Sequence, residues 1–348
     1  MHIDVVELGT PEAEAWADRW YDAWYEALYA GLSHDRTNPV LYPAERLRAA
    51  LSRTTKSERR FFISLVDDDT HVVGAARVLL PGLDNTDLAF FEMAVPPTAR
   101  RRGHGTALLR AVRDLATAHG RTLLQTDLDR SFDQPAQQWP GSVFAAARGF
   151  RLGLEDVRRD LQLPTDPEYL AELERRALAH ADGYGIATRF GRTPAEDRSR
   201  MATLMARMST DAPLGDLAYE PEAWDADRVA EQEEHLAALG NQWWTAVAVA
   251  PDGTWAGYTQ LHWSAHTPER LEQEDTLVLR EHRGRRLGLL LKLATLRRAE
   301  QQWPGAKFVT TWNAASNAPM IAVNEALGFR AVEASEEWQA RVDDLVGL

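Results

Sequence analysis

Apolar residues along this chain recur with two spacings, and the alternation between them runs through the same order twice. Leu108, Val112 and Leu115 share one helical face, as do Leu289, Leu293 and Leu296. A strand-like run precedes each helix, at 90–95 and 274–278, and each run ends in a valine five residues ahead of an arginine, Arg100 or Arg283. The local unit is strand, loop, helix, and it occurs twice.

The pattern predicts strands near 2–8, 60–66, 71–80, 87–95, 122–127 and 151–162 in the first copy, with helices near 11–31, 43–53, 103–119 and 141–148. The second copy reads as strands near 184–190, 242–250, 254–263, 270–279, 306–312 and 330–342, with helices near 194–209, 220–239, 286–302 and 317–327. Arg100-Arg101-Arg102-Gly103-His104-Gly105 and Arg283-Gly284-Arg285-Arg286-Leu287-Gly288 lie 183 positions apart, as do Thr10-Pro11 and Thr193-Pro194. Each Thr-Pro pair reads as a helix start, with Thr as cap and Pro in the first turn. Gly149-Phe150 and Gly328-Phe329 repeat at 179. At 348 residues the chain has room for two domains, placed at 1–164 and 184–348. Pro164-Thr165-Asp166-Pro167 opens a connecting helix within 165–183, and Asp182-Gly183 ends it.

Composition narrows the function. Hydrophobic residues at 45% and charged residues at 26% suit two folded cores. A formal charge of -13 argues against a nucleic-acid binder, which would concentrate Lys and Arg, and is compatible with a cationic substrate. The start lacks a basic segment followed by an apolar one, and no apolar run reaches membrane-spanning length, so a cytoplasmic location and no membrane partner are expected. With no cysteine, disulfides, thiolate metal sites and covalent cysteine mechanisms are excluded. No metal-ligand spacing is visible either, and no metal is assigned.

A Gly- and Arg-rich loop that enters a helix straight after a strand presents unpaired N–H groups and the positive end of a helix dipole. Such a cradle suits a diphosphate. Each copy resembles the GNAT superfamily of N-acetyltransferases, whose acyl-CoA loop reads Arg or Gln, two residues, Gly, one residue, then Gly or Ala. Arg100, Gly103 and Gly105 match all three positions; Arg283 and Gly288 match the ends, with Arg286 where the middle Gly is usual. The resemblance implies an α/β fold of the α+β mixed-sheet kind: two tandem acyl-CoA N-acyltransferase domains, each a splayed mixed sheet flanked by helices. It further implies acetyl-CoA, or another acyl-CoA, as co-substrate. The diphosphate would lie on Arg100, Arg101, Arg102, Gly103, His104, Gly105 and Thr106, or on Arg283, Gly284, Arg285, Arg286, Leu287 and Gly288. Backbone at Val95, Val278 and Leu279 would hold the acyl end, and Asn317 matches a family asparagine that contacts the cofactor arm.

Attack on a thioester needs a neutral amine, so a base must take a proton from the ammonium form. By the resemblance a carboxylate on the fourth strand often serves, and the 183 offset pairs Glu92 with Asp275. Glu274 is adjacent but turns to the other face in a regular strand. The family's usual thiolate acid, a tyrosine five residues before the Phe of Gly-Phe, is replaced by Ala145 and Asn324. Asn324 can donate a hydrogen bond and Ala145 cannot. These features favour the second copy for chemistry, an asymmetry that resembles the tandem arrangement of the mycothiol synthases.

The acceptor is expected to be the primary amine of a small molecule such as an aminosugar, an antibiotic or an amino-acid-like compound. The alternatives are a protein amine, or a catalytically degenerate acyl-CoA-binding protein. A monomer or a homodimer fits equally. Trp16, Trp20, Trp24, Tyr21, Tyr25 and Tyr29 on the first helix make either an aromatic wall or core packing. Asp211, Asp216, Glu220, Glu222 and Asp225 make either an acidic entrance or a solvated face. His104 and His282 read as loop-surface residues.

Overall fold

The computed structural model describes residues 1–67 and 71–348. Its contacts gather the chain into two compact units. The first is Met1–Glu155 with Leu214–Glu220 and Glu333–Leu348, and the second is Asp156–Pro213 with Pro221–Val332. This differs from a linear division at 164 and 184, because each unit is completed by a strand from the other half of the sequence.

The first unit contains β1 (His2–Glu7), α1 (Pro11–Leu32), α2 (Ala44–Ala49), β2 (Glu58–Asp67), β3 (His71–Pro81), β4 (Leu88–Ala94), α3 (His104–Ala118), β5 (Leu123–Ser131) and α4 (Pro140–Ala147). Strands β1 to β4 form an antiparallel meander, and β4 pairs with β5 in parallel. The strand that closes this sheet is β12 (Arg330–Arg341), whose residues Glu333 to Arg341 run antiparallel to β5. The equivalent strand of the first half, β6 (Arg151–Gln162), pairs instead with a strand of the second unit.

That unit contains the connecting helix α5 (Pro167–Leu178), β7 (Gly185–Phe190), α6 (Arg198–Asp211), α7 (Ala226–Ala238), β8 (Asn241–Val249), β9 (Trp255–Ser264), β10 (Arg270–Val278), α8 (Leu287–Gln302), β11 (Phe308–Ala314) and α9 (Ala318–Leu327). Strands β7 to β10 repeat the meander, β10 and β11 are parallel, and β6 lies antiparallel on β11.

The threonines expected to cap helices do other work. Thr10 Oγ1 donates to Glu7 O at 2.8 Å, and Thr193 is held by Glu233 through both its N–H and its hydroxyl. The helix expected over 220–239 starts at Ala226, where the Asp225 carboxylate accepts from Arg228 N at 2.8 Å. Asp166 caps the connecting helix as its position suggests, accepting from Glu168 N.

In both units the strands are covered by helices whose apolar spacing decides the packing. Trp16, Trp20, Tyr21 and Trp24 of α1 are buried, and Trp24 Nε1 donates to Ile63 O and Ala76 O at 3.1 and 3.2 Å while its ring stacks on Phe62. Leu108, Leu109 and Val112 of α3 fill another core of that unit, and Leu289, Leu291, Leu293 and Leu296 of α8 do so in the second. Fully burying such a side chain stabilises by about 1.5–3 kcal/mol.

Candidate active site

In each unit the two parallel strands pair at three positions and then part. Leu88, Ala89 and Phe90 of β4 face Leu123, Leu124 and Gln125, and Arg270, Leu271 and Glu272 of β10 face Phe308, Val309 and Thr310. Beyond these pairs no backbone pairing joins the two strands among the described residues, and a Gly-Arg loop follows β4 and β10.

The loops have the same backbone despite their different residues. Positive φ falls at Arg101 (64°) and Gly103 (87°) in the first, and at Gly284 (83°) and Arg286 (58°) in the second. The glycine and arginine positions are thus exchanged. A Cβ placed on Gly103 or Gly284 would meet nothing within 4 Å, so a side chain there does not collapse the turn. Holding a non-glycine residue in this region costs about 1–2 kcal/mol. Neither α3 nor α8 has a side-chain cap, which leaves first-turn N–H groups for an anion.

Several side chains expected to touch that anion are committed elsewhere. Arg100 Nε donates to Val95 O at 3.1 Å, and Arg283 Nε to Val278 O at 3.0 Å, so both arginines brace the end of a strand. Arg283, with Arg280, is also paired to the buried Asp211 carboxylate. Leu279 N donates to Ala256 O, and the Thr106 hydroxyl accepts from Arg148. His104 and Leu287 are buried, so they can offer the loop backbone only; His104 is not a surface residue. His282 is bonded through Nδ1 to the Tyr184 hydroxyl at 2.8 Å. Arg101, Arg102, Arg285 and Arg286 are exposed, as is Arg283 despite its pairing. Gly105 and Gly288 lie in the first turns of their helices, with Phe144 and Val278 nearest to where a Cβ would be.

The candidate bases differ between units. The β3–β4 ladder is regular from Ala75–Ala94 to Leu79–Phe90, which places Glu92 opposite Arg77, and Arg77 Nε donates to Glu92 Oε2 at 2.6 Å. In the second unit the register jumps between Gln273 and Thr276, so Glu274 and Asp275 form a bulge across from Gln260. The bulge suspends the strict alternation expected for Glu274, and both acids are exposed. Asp275 keeps accessible surface, yet desolvation by the surrounding protein pushes its pKa up, against the lowering effect of its hydrogen bond from Tyr258. Tyr258, fully buried on β9, donates its hydroxyl to Asp275 Oδ2 at 3.0 Å. Burial first, then the charges of Asp275, Glu274 and Glu222, hold this phenol protonated.

Of the five acids read as either an entrance or a solvated face, only Glu222 reaches this site. Asp211 pairs with arginines, Asp225 caps α7, and Asp216 and Glu220 belong to the first unit. Tyr258 escaped sequence reasoning, since only the β9–β10 register brings it to Asp275. Asp156 was also missed. Its Oδ1 is buried without a hydrogen-bond partner among the described residues, and burial raises its carboxyl to about 6.

Asn324 is not at the reaction gap. It is fully buried, accepts from Lys292 Nζ at 2.7 Å and donates to Asn313 Oδ1 at 3.0 Å, where Arg159 also donates. Asn317 caps α9, its Oδ1 accepting from Met320 N at 3.3 Å. In the first unit the fork is occupied: Tyr219 stacks against Phe90, and its hydroxyl accepts from Gln125, the last residue pair before β4 and β5 part.

The sequence profile of the acetyltransferase (GNAT) family matches residues 14–139 and 214–329. The chain belongs to the GNAT acetyltransferase family. Two stretches of GNAT sequence, one in each half, agree with the duplicated loops and forks. A tandem GNAT protein from the clavulanic acid biosynthesis pathway, solved without acetyl-CoA, is 28% identical with a TM-score of 0.74, covering 98% of this chain and 99% of that one. A GCN5-related N-acetyltransferase from Sphaerobacter thermophilus shares the fold at 17% identity, with a TM-score of 0.62 and coverage of 97% and 96%. No curated protein sequence matches the chain. Among the described residues of this GNAT protein, no cluster of side chains suits a metal ion and no helix is long and apolar enough to cross a membrane.

Proposed function

We propose that the second unit transfers an acetyl group from acetyl-CoA directly to the primary amine of a small molecule, an aminosugar, antibiotic or amino-acid-like compound, within a ternary complex. The observation that carries this reading is Asp275, raised at a strand bulge beside the parted β10 and β11 and held by Tyr258. A carboxyl pushed upward is a better match for taking a proton from an ammonium near neutral pH. Tyr258 fixes one carboxylate oxygen and leaves the other for the amine. Glu274 and Glu222 add negative charge, which favours a cationic acceptor.

The α8 loop fits a diphosphate through its uncapped N–H groups and the exposed Arg285 and Arg286. Acetyl-CoA bound there would supply the activated acyl group. With no cysteine in the chain, direct attack by the amine is the simplest route. The expected test is thiol release from acetyl-CoA over an amine panel: activity that survives Asp275→Asn unchanged removes Asp275 as base, and activity that survives only Asp156→Asn substitution supports this assignment.

For the first unit a different reading is favoured. Its loop is intact, but Glu92 is paired to Arg77 and Tyr219 lies in the fork, so it is read as non-catalytic. Acetyl-CoA titrations of Arg101→Ala with Arg102→Ala, and of Arg285→Ala with Arg286→Ala, count the binding sites.

A further inference from the structure

The aromatic helix α1 carries further residues at the margin of its core. Tyr25, Tyr29 and Leu32, with Tyr42 and with Leu47 of α2, wall a cleft in the first unit, and Arg77 and Glu92 are at its base. Its space is about 350 Å³ counting the open mouth. The tryptophans of α1 and Tyr21 therefore pack the core while Tyr25 and Tyr29 line a cleft, so each of the two readings of that aromatic stripe holds for part of it.

The base of the cleft is a charged pair still open to solvent. Arg77 Nε holds Glu92 Oε2, yet 32% and 29% of the two side chains remain accessible. The terminal nitrogens of Arg77 and Oε1 of Glu92 make no hydrogen bond among the described residues. The Tyr42 ring lies 4.8 Å from the guanidinium centre, and Tyr29 and Tyr42 are 47% and 41% exposed. Contiguous exposed apolar surface rimmed by polar groups is a mark of ligand-binding grooves.

A formed ion pair selects its ligand by charge. A simple cation at Glu92 would be repelled by Arg77, and a simple anion at Arg77 would be repelled by Glu92. A zwitterion satisfies both, its carboxylate on the free guanidinium fork and its ammonium on Oε1. The tyrosine and leucine walls then take an apolar group. We infer that this cleft binds an α-amino-acid-type zwitterion with an apolar or aromatic side chain. The inference is independent of acetyl transfer in the second unit.

Calorimetric titration of the full chain with L-phenylalanine and L-leucine tests it, beside phenethylamine and 3-phenylpropionate, which each lack one charge. At least one amino acid binds, and each single-charge analogue binds about 10-fold more weakly or worse, equivalent to roughly 1.4 kcal/mol. Arg77→Lys, Glu92→Gln and the rim change Tyr29→Ala each weaken binding, the last with little risk to the fold because Tyr29 is half-exposed. Binding persists in Asp275→Asn, which separates this site from the proposed transfer site. Equal affinity for phenethylamine, no binding of any zwitterion at millimolar concentration, or affinity unchanged by all three substitutions overturns the proposal.

Discussion

Replacing Lys292 by leucine, the residue at the corresponding position 109, is expected to stabilise the second unit. The Lys292 ammonium is fully enclosed and has one acceptor, Asn324 Oδ1, and burial lowers its pKa from 10.5 to about 7. Lowering a lysine this far penalises the charged form by roughly 5 kcal/mol as an upper bound. The sign follows from proton binding: between about pH 7 and 10.5 the unfolded chain holds the lysine proton and the folded one does not, so stability rises with pH across that window. Below it the full penalty applies. Leucine removes the penalty but leaves Asn324 without its donor, which costs about 1–3 kcal/mol. The net gain at pH 7 is on the order of 2–3 kcal/mol, or roughly 5–10 °C in Tm for a unit of this size. Adding Asn324→Ala, which completes the apolar pair of Leu109 and Ala145, should extend the gain. Calorimetric unfolding at pH 7 and pH 10 decides: the advantage of the variant should be lost and turn into a small deficit at the higher pH, where the penalty has gone and the unpaired Asn324 remains. A variant less stable at pH 7, or an advantage independent of pH, refutes the reasoning.

Asp275→Asn should lower turnover by about 10²–10⁴-fold, and because burial disfavours the ionised form, the same change should raise Tm at neutral pH, as scanning calorimetry would register. The acid limb of kcat/KM should lie above the ordinary carboxylate range, since Asp275 must lose its proton before it can act; a limb near pH 4, or one unchanged in the variant, contradicts this. Gly103→Arg should cost only about 1–2 kcal/mol, because the added side chain meets open space, and it should leave acetyl-CoA affinity measurable by titration. A fragment of residues 1–164 should fail to show cooperative unfolding by circular dichroism, since Arg36 and Arg130 lose the buried carboxylates of Glu333 and Glu336.

The strands, the loop-led helices and the duplication were legible because they depend on local spacing: Leu108 to Leu115 and Leu289 to Leu296 carry their helical faces in the sequence itself. The matching cradle was legible too, although Arg286 replaces a glycine, since backbone conformation survived the exchange. What the sequence could not show was pairing over long separations. Strands β6 and β12 were placed within their expected residues, but alternation does not say which neighbour a strand will choose. Glu92 looked like the equal of Asp275 until register put Arg77 across from one and a bulge under the other. Asn324 looked like polar lining, and only the position of Lys292 on α8 reveals it as a buried acceptor.

The exchanged strands bear on how the protein is made. Synthesis proceeds from the N-terminus, and domains generally fold as their residues emerge. Here β5 waits for β12, some two hundred residues downstream, before its free edge is covered and before Arg36 and Arg130 meet Glu333 and Glu336. The second unit, by contrast, receives β6 ahead of every strand it will join. The half of the chain translated first is therefore the one finished last, and until then it carries an open strand edge and two arginines that lack their buried carboxylates, a nascent state suited to chaperone capture.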